Sequence, residues 1–142
     1  MADNAVNVLV IDDDDVAVMG LQRAFRKLDI EFPCFTASDG LEALELLRGK
    51  NGNVAIPKPH LMLLDLNMPR MDGFEFLEEI RNDPDLQQSV IFVLSTSTAE
   101  EDMARAYNRN VAGYIVKSNT DSTFHSTLAM LDQYRRIVEL PC

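Results

Sequence analysis

Positive charge is scarce in this chain: 13 Lys and Arg stand against 23 Asp and Glu, for a formal net charge of -10 and a pI near 4.5. A groove for nucleic acid needs clustered Lys and Arg to replace counterions along the phosphate backbone, so direct binding to DNA or RNA is not expected. Cysteine is nearly as rare. Cys34 sits in an apolar segment and Cys142 is the last residue, too few and too differently placed for a disulfide framework, so both are expected as free thiols. No apolar run approaches the roughly 20 residues of a membrane helix, and Met1-Ala2-Asp3-Asn4 carries no signal-peptide pattern. Low-complexity tracts and linkers are missing too. At 142 residues and 16.0 kDa the chain fits one domain, residues 1–142, with no output domain and an expected location in the cytoplasm.

What is present is an alternation. Five apolar runs are each followed by an amphipathic stretch, the pattern of βα units that build a doubly wound α/β sandwich on a parallel sheet. The first unit pairs a strand over 6–11 with a helix over 15–28, where Leu21, Ala24, Phe25 and Leu28 share one face. The second is a short strand over 32–37 interrupted by Pro33, which predicts an edge. A helix follows, capped by Ser38 and carrying Leu41, Leu44 and Leu47 inward. Gly49, Gly52, Pro57 and Pro59 make residues 49–59 a loop. The third unit runs over 60–65 and through a turn into a helix with Phe74, Leu77 and Ile80 inward. The fourth takes a strand over 90–95 into a helix over 99–108. The fifth takes a strand over 113–117 into a helix bearing Phe124, Leu128, Leu131, Tyr134 and Val138.

Chemistry collects where these strands stop. Val8-Leu9-Val10-Ile11 ends in Asp12-Asp13, Leu61-Met62-Leu63-Leu64 ends in Asp65, Val90 to Leu94 delivers Ser95, and Tyr114-Ile115-Val116 delivers Lys117. In an open α/β sheet the carboxyl ends of the strands are the ligand-binding edge. Three carboxylates meeting there would repel one another and require a cation. Mg2+ suits oxygen ligands and keeps exchangeable positions. Lys117 would add a second positive charge. Phosphoryl transfer needs positioning and charge neutralisation around the equatorial oxygens, so Mg2+, Lys117 and the Ser95 hydroxyl would each hold one oxygen while Asp65 attacks as nucleophile.

These residues resemble the receiver domain of two-component response regulators. The resemblance lies in Val-Leu-Val-Ile-Asp12-Asp13, in Asp65-Leu66-Asn67-Met68-Pro69-Arg70-Met71-Asp72-Gly73, in Leu94-Ser95-Thr96 and in Tyr114-Ile115-Val116-Lys117, and it spans essentially the whole chain. It implies a flavodoxin-like (βα)5 fold with strand order 2-1-3-4-5. It further implies Asp65 as phosphoacceptor, Asp13 as direct Mg2+ ligand, Asp12 as a ligand acting through water, and the backbone carbonyl of Asn67 completing the shell. By the same resemblance Ser95 and Lys117 sense the phosphoryl group, Tyr114 turns inward on activation, and Asn67, Thr96 and Ser97 modulate from nearby. The implied partners are a sensor histidine kinase and a downstream protein, with no membrane involved. Loop length, the Ser95-Thr96-Ser97 run and the ending Val138-Glu139-Leu140-Pro141 are most similar to single-domain regulators paired with bacterial phytochromes. Dimerisation through the last helices is compatible with that sub-family.

One position departs from the family. Ser118 follows Lys117 where most receivers place a proline, usually through a cis bond. A cis bond to a non-proline residue costs about 2.5 to 4 kcal/mol, which predicts a trans Lys117–Ser118 bond and an altered loop into the last helix. Two competing readings remain. One is a phosphorylation-independent binding module in which Ser95 and Ser118 have detuned the switch. The other is an aspartyl-nucleophile phosphatase of the haloacid dehalogenase type, a turnover enzyme. That family needs an aspartate two residues after the nucleophile, where this chain has Asn67. Asp14 and Asp15 read as a solvated helix start, Asp72 as a turn-former, and His60 and His125 as structural, since neither has a partner at ligand spacing.

Overall fold

The computed structural model describes residues 6–30, 33–118 and 121–141. Ten elements alternate along the chain: β1 (Asn7–Ile11), α1 (Asp15–Lys27), β2 (Cys34–Ala37), α2 (Gly40–Arg48), β3 (His60–Leu64), α3 (Gly73–Arg81), β4 (Val90–Ser95), α4 (Glu100–Tyr107), β5 (Gly113–Val116) and α5 (Asp121–Ile137). The strands form one parallel sheet in the order β2-β1-β3-β4-β5. β3 lies at its centre and is buried at every residue, which is why its sequence is apolar without alternation. Among the described residues β2 pairs with β1 alone, and it begins at Cys34, after Pro33, a residue that cannot donate to a ladder.

Side chains along each strand alternate between two cores. Leu9, Ile11, Met62 and Leu64 join Ala43, Leu44, Phe76, Leu77 and Ile80 on the side covered by α2, α3 and α4. Val8, Val10, Leu61 and Leu63 join Leu21, Ala24, Phe124, Leu128 and Leu131 on the side covered by α1 and α5. Tyr134 meets Phe92 edge-on, with ring centroids 5.2 Å apart. At about 1.5 to 3 kcal/mol for each fully buried large apolar side chain, these two layers dominate the folding free energy.

Three expectations from sequence need correction, and α3 buries one residue more than expected. Asp39, not Ser38, caps α2: its side chain accepts from Glu42 N, while Ser38 turns both its N–H and its hydroxyl to the Glu42 carboxylate. Leu41 is 40% exposed because it lies on the solvent side of α2. Val138 falls just past the end of α5 and is also exposed. Phe76 joins the inward residues of α3 and is fully buried, since this helix covers the middle of the sheet and needs a broad apolar stripe. The expectation at Phe32 and that at Cys142 lie outside the described residues. Cys34 is a free thiol whose pKa burial pushes up to about 11, so it is an unreactive packing residue at neutral pH.

The α1–α5 seam depends on one glycine. A Cβ built on Gly20 would lie 2.2 Å from the Phe124 ring, and Phe124 is itself buried and cannot swing aside. Alanine raises helix propensity by about 1 kcal/mol over glycine, but overpacking a filled core costs about 1 to 3 kcal/mol. With an overlap this deep the second effect should win. Gly20→Ala is therefore expected to lower the urea midpoint with an unchanged m-value; a raised midpoint would contradict the close approach.

Candidate phosphoryl-acceptor site

The polar residues singled out from sequence gather at the carboxyl edge of the sheet because the ladder carries them there. Asp12 N donates to Ala37 O at 3.0 Å, Asp65 N to Ile11 O at 2.9 Å and Lys117 N to Ser95 O at 2.7 Å, each one residue beyond its strand. The backbone is thus still in sheet geometry where the acids and the lysine begin. Asp12, Asp65, Ser95 and Lys117 are all buried, while Asp13 is exposed.

Asp12, Asp13 and Asp65 bring carboxylate oxygens within 4.8 Å of one another. The Lys117 ammonium lies 2.9 Å from Asp12 Oδ2 and 4.0 Å from Asp65 Oδ2. Asp14 N donates to Asp12 Oδ1 at 2.9 Å and Asn67 N to Asp65 Oδ1 at 3.3 Å. Burial, and then the negative charge of Asp12, push the Asp65 pKa up to about 6, although Lys117 and the Asn67 N–H pull in the opposite direction. One cation among three carboxylates leaves the cluster under-compensated. An all-oxygen donor set, one member open to solvent, fits a hard divalent ion such as Mg2+.

The turn after Asp65 is built for close approach. A Cβ on Gly73 would lie 2.6 Å from Leu66 Cα and 2.7 Å from Asp65 O, so any side chain there would push on the backbone of Asp65 itself. Asp72 and Glu75 form a capping box that starts α3 at this point, and Gly73 N closes the loop onto Leu66 O at 2.9 Å. The sequence assigned Asp72 to the turn but did not expose its reciprocal bond with Glu75.

Beyond Ser95 a second group of contacts converges on Ser97. Its N–H donates to Ser95 Oγ at 3.2 Å, its hydroxyl donates to Asp102 Oδ2 at 2.6 Å and accepts from Ala99 N, and its carbonyl accepts from the Tyr114 hydroxyl at 2.9 Å. The bond to Ser97 occupies an acceptor site on Ser95 Oγ and leaves its proton for another oxygen. Asp102 was missed in sequence, where it reads only as one of three acids favourable to the N-terminus of α4. Thr96 is exposed and Tyr114 half-buried. Among the described residues the cis peptide bond is Lys58–Pro59, and Lys117–Ser118 is not cis. Ser118 Oγ instead hydrogen-bonds Thr123 Oγ1 in the first turn of α5.

His60 contributes nothing to this edge. It lies at the opposite end of β3, with Nε2 3.0 Å from Ser89 Oγ, and burial followed by the Lys58 charge holds it down to about 4.

A five-stranded parallel sheet in this order, with acids ending β1 and β3, a hydroxyl ending β4 and a lysine ending β5, has the architecture of a receiver. The response regulator receiver domain model matches residues 8–129, and the chain belongs to that family. It is 32% identical over 135 residues to the response regulator Rcp1 of Synechocystis sp., covering 94% of this chain and 92% of that one. It is 31% identical over 133 residues to a probable methanogenesis regulatory protein, FilR2, of Methanothrix harundinacea, covering 94% and 85%. The phosphorylated cyanobacterial phytochrome response regulator RcpA superposes with a TM-score of 0.87 at 31% identity, over 97% of this chain and 99% of that one. A Mn2+-bound form of Rcp1 has also been solved and superposes with a TM-score of 0.85 at 30% identity, over 96% and 99%. Among the described residues no helix is long and apolar enough to cross a membrane.

Proposed function

We propose that this chain is a stand-alone response regulator that accepts a phosphoryl group on Asp65 from a phosphohistidine of a sensor kinase, and signals by protein contact or onward transfer. The observation that carries the reading is the environment of Asp65: a buried carboxylate 4.0 Å from the Lys117 ammonium and within reach of two further acids. An oxygen of ionised Asp65 attacks phosphorus, the P–N bond to the donor imidazole breaks, and the imidazole leaves with its electron pair and takes a proton. Lys117 stands beside the nucleophile to meet an added phosphoryl oxygen, and Ser95 keeps a hydroxyl proton free to donate to another. Mg2+, held by Asp13, Asp65 and the Asn67 carbonyl, with Asp12 acting through water, would neutralise charge that the single lysine cannot.

The same residues account for signalling. Movement of Ser95 toward a phosphoryl oxygen competes with its bond from Ser97 N, and Ser97 is tied to both the α4 start and Tyr114. A local charge change is thereby passed to the face formed by α4, β5 and α5. Similarity to Rcp1 and RcpA supports a phytochrome-type kinase as the donor.

Intact mass after incubation with acetyl phosphate tests the reading. One Mg2+-dependent phosphoryl adduct on the wild type, lost in Asp65→Asn, is expected. An adduct persisting in Asp65→Asn would refute the assignment, and no adduct together with no metal binding would favour a phosphorylation-independent binding module.

A further inference from the structure

Between Leu66 and Gly73 the chain makes a loop that carries Asn67, and this loop is tied down from outside the acidic cluster. Arg70 adopts φ +64, a left-handed conformation that an arginine does not favour. Its guanidinium is held by Asp39: Nε lies 2.7 Å and Nη2 2.6 Å from Asp39 Oδ2. The Asp39 carboxylate is only 5% exposed although the Arg70 side chain is 62% exposed, so the anchor is rigid and the arginine reaches in to it. The other oxygen of Asp39, Oδ1, accepts from Glu42 N and caps α2. Burial disfavours the ionised Asp39, but the Glu42 N–H and the Arg70 charge outweigh it and hold this carboxyl below the usual range. Next to the ion pair, Gly40 N donates to Met71 O at 3.3 Å, and a Cβ on Gly40 would meet the Met71 side chain at 2.8 Å. The start of α2 and the end of the loop are therefore interlocked.

We infer that Arg70 is a positioning residue for divalent-cation binding: clamped on the helix cap Asp39, it fixes the loop that supplies the Asn67 carbonyl to the donor set. The inference rests on the phosphoryl-switch reading above. The loop tip is otherwise mostly open to solvent, with Asn67, Pro69 and Arg70 all exposed. A backbone carbonyl is a useful metal ligand only if the loop is already in place, because ordering it on binding subtracts from affinity. Groups outside the ligand set that orient a ligand typically change metal affinity about 10- to 100-fold when removed.

The test titrates Mn2+ into the metal-free full chain by calorimetry, beside urea midpoints. Arg70→Gly removes the guanidinium while suiting the positive φ, and Asp39→Asn keeps a side chain that caps helices well. Each variant, and the double variant, is expected to bind Mn2+ about tenfold more weakly than wild type. The double loss should not exceed either single loss, since one contact is removed in all three. Arg70→Lys should recover part of the affinity. A cap that served stability alone would shift urea midpoints and leave the Mn2+ affinity of the folded protein within twofold of wild type, which would overturn the inference. Asp13→Asn separates the two levels of the argument: wild type that fails to bind Mn2+, or undiminished binding by Asp13→Asn, overturns the phosphoryl-switch reading and this inference with it.

Discussion

Asp65→Asn is expected to make the metal-free protein more stable at neutral pH, by about 2 to 3 kcal/mol, while abolishing phosphoryl acceptance. The folded protein holds the Asp65 carboxyl proton up to a pH of about 6, against 3.8 for an ordinary aspartate, because burial and the Asp12 charge both oppose ionisation. Below pH 3.8 the carboxyl is protonated in the folded and unfolded chains alike, and wild type and variant should differ little. Between 3.8 and about 6 the unfolded chain has released its proton and the folded one has not. The folded state then binds more protons, so its stability falls as pH rises. Above about 6 the loss is complete and constant, at about 3 kcal/mol. Asparagine never ionises and escapes this penalty. It leaves Lys117 paired with Asp12 at 2.9 Å, and its amide oxygen can still accept from Asn67 N. Urea denaturation in EDTA at pH 4, 5, 6 and 7.5 should show a stability difference that opens across this window. Mg2+ should then stabilise wild type more than the variant, by binding the folded state through the carboxylate that the variant lacks. A variant less stable than wild type at pH 7.5 would mean that Lys117 compensates Asp65 fully, and the cluster would not be under-compensated.

Such a penalty is the reason the site could be seen in the sequence at all. Acids directly after the apolar runs of β1 and β3 oppose the burial that surrounds them, so Asp12 and Asp65 stand out before any geometry is known. The strand order follows from the same runs only through the family resemblance, since periodicity identifies βα units without ordering them. Finer features were hidden where two adjacent residues could serve equally. Ser38 and Asp39 are both good helix caps, and what selects Asp39 is its second duty to Arg70, 31 residues later in the chain. Separation in sequence likewise concealed the Ser97–Tyr114 bond, the Arg109–Glu78 pair, and the way Arg81 donates to the carbonyls of Arg109 and Asn110. Periodicity and local motifs report on neighbours within a turn or a strand. These contacts join elements that only the assembled sheet brings together.

The lysine that ends β5 carries the other large effect. Lys117→Met is expected to move Asp65 ionisation upward from about 6, because the ammonium that lowers it is gone, and with it the pH dependence of phosphorylation. The ammonium and the Asp12 carboxylate are each almost wholly buried, and Asp65 is the next carboxylate, 4.0 Å from Nζ. Removing one partner of a buried ion pair typically costs about 3 to 5 kcal/mol when the other stays charged. Part of that cost is escaped if Asp65, whose ionisation burial and the Asp12 charge already oppose, retains its proton. A larger fraction of the nucleophile would then be neutral at pH 7. Carbon-13 NMR of the aspartate carboxyls in EDTA should show the Asp65 midpoint displaced upward. The rate of phosphorylation by acetyl phosphate at fixed Mg2+ should be depressed at pH 7 and climb as pH is raised toward 9, a profile that wild type should not show over that range. Combining Lys117→Met with Asp65→Asn should cost less stability than the sum of the separate effects predicts, because the asparagine removes the charge that the lysine was compensating. An Asp65 midpoint that stays near 6 in Lys117→Met would show that the ammonium serves Asp12 alone. Its role in sensing a phosphoryl group would then require a movement away from Asp12 of a size this arrangement does not prepare.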